Sequence, residues 1–214
     1  MSNKDFFGKN IYKNVLFLNY LMYFCGFTKH SQKMILKFDI ETAKAAMLYI
    51  SRELGKADLI RLFKMLYFAE RTHLAKWGDL IVNDTYVAMK NGPVPSIIYD
   101  LFKGIRGDGL RDKQYETFYN AFKIEDGYNV IPLELPDMDY LSKASVEAIN
   151  QSILENKDID SYDLSIKSHD YAWSNADKNN KIDFIDIAKA GGASDEMIGY
   201  ILEERELSEI LGCV

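Results

Sequence analysis

Between Asp58 and Gly78 the chain reads DLIRLFKMLYFAERTHLAKWG, and this segment constrains everything around it. Leu59, Leu62, Phe63, Leu66, Ala69, His73 and Trp77 recur at helical spacing on one stripe, and Ile60, Tyr67, Phe68 and Leu74 widen it. A stripe that wide predicts a central helix contacted on more than one side. It is expected to run from about residue 57 or 58 to Lys76 and to be stopped by Gly78. A helix precedes it. Asp39 is a suitable cap, Ile40, Ala43, Ala46, Met47, Ile50 and Leu54 follow at helical spacing, and Gly55 stands just past the end.

After Gly78 the pattern turns β-prone at 80–82 and 85–89, with Asn83-Asp84 as the turn between them. The prolines of Lys90-Asn91-Gly92-Pro93-Val94-Pro95 remove donors and fix φ, so no strand or helix is expected to continue through it. Ser96 suits the cap of a short helix over 97–103, and 104–112 reads as a polar loop. Two β-prone runs, 118–125 and 128–133, flank Asp126-Gly127, a strong hairpin signal. Further helices are predicted over 142–155, with Val146, Ile149, Ile153 and Leu154 inward, over 162–169 and over 194–211. The expected fold is α+β: a mostly helical single domain with a small antiparallel sheet drawn from 80–89 and the 118–133 hairpin.

Composition narrows the class. With 214 residues, 48% hydrophobic, and four prolines, the chain is neither disordered nor collagen-like. Cys25 and Cys213 form no disulfide framework or zinc pattern, which points to a reducing, cytoplasmic setting. Charge divides the chain. Residues 1–33 carry five lysines and one acid, whereas 34–214 carry 21 basic and 31 acidic side chains, a net −10. That balance argues against a free-standing nucleic-acid binder. Arg61, Lys64, Arg71 and Lys76 on the central helix read as a mixed solvated face. The run VLFLNYLMYFCGF at 15–27 is too short to span a bilayer and no small-residue cleavage site follows it. Residues 1–33 are therefore expected to be poorly ordered or the product of a mis-assigned start, with Met34 opening the domain 34–214. No membrane association is expected.

No nucleophile elbow, Walker A loop or dinucleotide fingerprint occurs. Glu70-x-x-His73 on a helix, joined by His169, is the one set that could hold a metal, and only one such motif is present. His169 and Trp173 fit packing as well as chemistry. Lys90 beside Gly92 fits an anion held at exposed amides, or a solvated strand end.

Three blocks in order resemble the Panacea domain, also called the SocA-like antitoxin domain. They are Leu66-Tyr67-Phe68 with Glu70-Arg71-Thr72-His73-Leu74, then Tyr86 through Gly92-Pro93-Val94-Pro95, then Leu164-Ser165-Ile166-Lys167-Ser168-His169 with Trp173. With the preceding helix the resemblance covers 34–173. It implies an antitoxin that neutralises, by direct binding, a toxin protein encoded by an adjacent gene, in systems that also occur on phages and mobile elements. The residues themselves lead us to expect no catalytic residue, cofactor or metal, and no nucleic acid bound by this chain alone. His73, Tyr86 and Lys90 are the toxin-interface candidates. Tyr67, Glu70, Gly92, Pro93, Pro95, His169 and Trp173 are expected to serve the fold. The acidic domain could steer a basic toxin. Two other readings stay open: a metal-dependent enzyme using Glu70, His73 and His169, and an autoregulatory transcription factor of the same operon.

Overall fold

Asp58 closes the N-terminus of the central helix by accepting the Arg61 N–H at 2.8 Å, and left-handed Gly78 ends it. A computed structural model describes residues 38–55 and 57–210. The expectations placed on 1–33 lie outside the described residues. Helix α1 (Ile40–Leu54) is capped by Asp39. The two-residue strand β1 (Ala57–Asp58) leads into α2 (Leu59–Trp77). There follow β2 (Tyr86–Met89), β3 (Gly92–Pro95), α3 (Ser96–Arg106), α4 (Glu116–Ala121), β4 (Phe122–Glu125) and β5 (Asn129–Pro132). The C-terminal part is helical: α5 (Lys143–Asn156), α6 (Ser161–Lys167), α7 (Tyr171–Asn175), α8 (Phe184–Ala190) and α9 (Asp195–Ile210). This is the α+β, mostly helical architecture that the periodicity predicts.

Helix α2 is the axis. It packs along α5, and α1, α6, α8 and β3 also lie against it. Leu62, Met65, Leu66, Tyr67, Ala69 and Leu74 are sealed from solvent. The wide apolar stripe is thus used all round, as its width requires. Trp77, placed on that stripe by spacing, is instead 56% exposed, because it is the last helical residue. Leu154 of α5 likewise faces solvent rather than the core. A second knot of packing joins α3, α4 and β4 through Phe102, Phe118 and Phe122, whose ring centroids are 5.0–5.3 Å apart.

The β structure is divided differently from the sequence expectation. Strands β1, β5 and β4 form one antiparallel sheet, in that order, and β2 and β3 form a separate two-stranded ribbon. Residues 118–121 are helical, so the 126–127 hairpin begins only at Phe122. Residues 80–82 form no strand, because the backbone N–H groups of Ile81 and Val82 bond to Glu70 instead of to a neighbouring chain. The largest correction concerns Gly92–Pro95, which is a strand. Pro93 opposes Ala88 and Pro95 opposes Tyr86, and at those two positions the β2 backbone turns outward. The Ala88 N–H donates to the Asn180 carbonyl, its carbonyl accepts from Asn179, and the Tyr86 carbonyl accepts from Ile182. The prolines therefore occupy the two sites of the ladder that require no donor. Ser96 does not cap α3. The Asp84 carboxylate does, accepting the N–H groups of Ile97 and Ile98 at 3.0 and 2.9 Å. Among the described residues no helix is long and apolar enough to cross a membrane.

Candidate functional site

Among the polar residues of α2 that are buried or half-buried are Lys64, Glu70, Arg71 and His73. They divide into two clusters. The first lies toward the helix C-terminus. Glu70 is fully buried, and its two carboxylate oxygens accept the N–H groups of Ile81 and of Val82, the latter at 3.0 Å. Burial pushes its pKa up to about 7, against the pull of those two donors. His73 Nδ1 lies 2.9 Å from the Asp79 carbonyl and 3.3 Å from its carboxylate. Burial disfavours the charged ring, but Asp79 outweighs it and the pKa is raised. Glu70 and His73 together pin the 79–82 segment to the end of α2.

Tyr86 stands over this cluster, 1% exposed, with its ring edge-on to Tyr67 at 5.3 Å. Its hydroxyl has no hydrogen-bond partner among the described residues, and burial drives its pKa well up. Tyr67 donates its hydroxyl to Asp170, at 3.0 and 2.9 Å from the two oxygens. Asp170 also receives Arg71 Nη1 at 2.7 Å and the Trp173 N–H at 3.2 Å, which caps α7. One carboxylate thus ties α2 to the 168–175 segment.

The second cluster surrounds Lys64. The sequence reads Lys64 as part of a solvated face, but the residue is 1% exposed. Its ammonium donates to the Pro93 carbonyl at 2.8 Å, and burial lowers its pKa to about 7. Gly92 runs directly over it at φ +95°. A Cβ there would meet Ser168 Oγ and would stand 3.0 Å from Lys64 Nζ. His169 stacks on Trp173 at 3.8 Å, and Trp173 donates its indole N–H to the Met89 carbonyl at 2.9 Å. Burial, then the Lys64 charge, lowers the His169 pKa. Beyond Lys64, α2, the β2–β3 turn and α3 border a groove of 590 Å³.

The structure brings Tyr67, Glu70, His73 and Tyr86 together in one cluster and Gly92, Pro93, His169 and Trp173 in the other. Pro95 closes the far end of β3 opposite Tyr86. It does not gather Glu70, His73 and His169 into one set, and among the described residues no three His, Cys, Asp or Glu side chains are grouped to hold a metal. Of the three interface candidates, Lys90 is exposed at the groove, whereas His73 and Tyr86 are buried and offer no side-chain surface to a docking protein in this conformation. Sequence reasoning placed Lys64 on a solvated face and Asp84 in a turn, and gave neither a part in the site. The signal for Lys64 was its position, one charge inside Phe63-Lys64-Met65-Leu66-Tyr67-Phe68-Ala69, three residues before Tyr67 and seven before Arg71.

Neither curated proteins nor solved structures include a match to this chain. A family model does match, the one described as "Antitoxin SocA-like, Panacea domain", over residues 62–174. That span runs from α2 through the ribbon, the 126–127 hairpin and α5 to Trp173, and takes in both clusters. It covers more than half of the 214 residues, so the chain belongs to the SocA-like antitoxin, Panacea-domain family.

Proposed function

We propose that this chain is the antitoxin of a toxin–antitoxin pair and neutralises a toxin from an adjacent gene by stoichiometric binding, without turnover. Its family membership over 62–174 carries the reading. The site supports it in a second way. Glu70, Asp84 and Asp170 each accept at least one backbone N–H, so these buried and half-buried carboxylates hold loops and helix ends in place. Glu70 and His73, two of the three residues that an enzyme of the Glu70, His73, His169 kind would use, hold the 79–82 segment, and His169 lies in the other cluster, stacked on Trp173. The net −10 of residues 34–214 suits steering toward a basic toxin, in a cytoplasmic setting.

Co-expression of the adjacent gene with and without this chain tests the reading. Growth arrest by the neighbour alone and growth with both genes is the expected result. A neighbour that is harmless alone, or equally toxic with this chain present, overturns it.

A further inference from the structure

The groove beside Lys64 runs against the charge of its surroundings. Four charged residues line it: Asp58, Lys64, Lys90 and Arg106. Asp58 is engaged, one oxygen accepting the Arg61 N–H and the other the Ser161 hydroxyl at 2.6 Å. Arg106 forks onto Asp108 at 2.9 and 2.6 Å. Lys64 is bound to a neutral carbonyl and forms no ion pair with any described residue. Lys90 is exposed and forms no ion pair with any described residue. The ammonium group of Lys90 is thus left without a counter-charge at a concave site, within a domain that is otherwise strongly acidic.

The walls are apolar and aromatic. Phe63 meets Tyr99 edge-on at 6.0 Å, and Ile60 and Tyr128 stand at the rim, 37% and 56% exposed. A volume of 590 Å³ lies in the usual range of ligand pockets, ~300–1,000 Å³. A concave, aromatic-walled site with an unpaired cation at its edge is complementary to a short segment that combines an apolar side chain with a carboxylate.

We infer that this groove is the docking slot for such an acidic–apolar segment of the partner toxin, with Lys90 meeting its carboxylate and Ile60 and Tyr128 closing over its apolar side chain. The inference rests on the antitoxin reading and specifies which surface carries it. It also refines the charge argument. The acidic bulk of the domain governs long-range approach, while the slot selects a local patch of opposite sign on the partner.

The experiment is a calorimetric titration of the purified full chain with the purified product of the adjacent gene, in low and moderate salt. Lys90→Glu and Tyr128→Ala alter exposed side chains, and thermal melts verify that each variant folds. Each is expected to weaken binding about tenfold or more, while Lys143→Glu, on the exposed start of α5, changes it less than about twofold. Added salt should weaken the wild type more than Lys90→Glu. If the wild type binds and both groove variants bind equally well, the slot is overturned and the antitoxin reading stands. If the wild type itself does not bind, the antitoxin reading fails first. A wild type and Lys90→Glu variant with the same salt dependence would remove the carboxylate from the proposal.

Discussion

Lys64 and Glu70 are both buried charges on α2, six residues apart, and the backbone answers them in opposite ways. Glu70 accepts from two N–H groups and closes a loop over itself. Lys64 donates to one carbonyl and stands beside an open groove. Among the described residues neither forms an ion pair, and each carries a desolvation cost visible as a pKa displaced toward neutrality. The difference lies in what depends on them. Removing Glu70 would orphan two buried donors, whereas removing Lys64 would orphan one carbonyl that has a second lone pair and a nearby cleft.

The largest expected effect is therefore at Glu70. Glu70→Leu should lower the free energy of unfolding by roughly 3–5 kcal/mol, and Glu70→Gln, which keeps one acceptor, should cost about half of that. Urea denaturation measures both. A leucine variant as stable as the wild type would erase the distinction between the two clusters. The pH dependence has a definite sign. The folded pKa of Glu70 is raised, so its stabilising contribution is full below the ordinary value of 4.5 and is lost as pH rises through about 7. The gap between Glu70→Gln and the wild type should accordingly narrow from pH 5 to pH 8.

Next comes Gly92, the residue that lets the ribbon pass over Lys64. Alanine there combines a φ of +95° with a steric conflict at Ser168 Oγ. A loss of about 2–3 kcal/mol is expected, and Ser168→Ala in the same chain should return part of it. Additive effects in that double-mutant cycle would place the strain in the backbone alone.

The smallest effect is expected at Lys64 itself. Lys64→Met fills the same space without the charge and should fall within about 1 kcal/mol of the wild type at pH 7. Here the folded pKa is depressed, so stability contributed by Lys64 is full above the ordinary lysine value of 10.5 and is lost as pH falls toward about 7. The methionine variant should gain on the wild type most at pH 6 and least near pH 10, read from thermal melts across that range. A flat difference would mean that the amine is better solvated than its burial indicates.

Much of this fold was legible in the sequence where local chemistry and tertiary need agree. Asp39, Gly55 and Gly78 mark helix ends because caps and left-handed residues are local requirements. The exceptions share a physical cause. Residues 80–82 have strand-forming side chains, but their N–H groups answer to Glu70, ten or more positions earlier in the chain. Pro93 and Pro95 look like breakers, yet two prolines spaced by two occupy the same parity of a ladder, and that parity was the one facing away from hydrogen bonding. Lysine signals solvent, but the carbonyl that holds Lys64 arrives from residue 93. Of the candidate site, the motif residues were found through the family resemblance, whereas the groove, made from α2, a turn and α3, has no sequence signature of its own.

The outward-facing backbone of β2 has a practical consequence for anyone who wishes to dissect the chain. Residues 62–174 define the family match, but the segment that seals the free edge of the ribbon, 179–182, follows it, and Ile187 and Ile201 beyond that are still interior. At the other end, α1 lies against α2 before the match begins. A fragment trimmed to the recognisable motifs would expose three unanswered peptide groups along Tyr86 and Ala88 and invite strand-to-strand self-association. The unit inherited as a recognisable pattern is therefore shorter than the unit that folds.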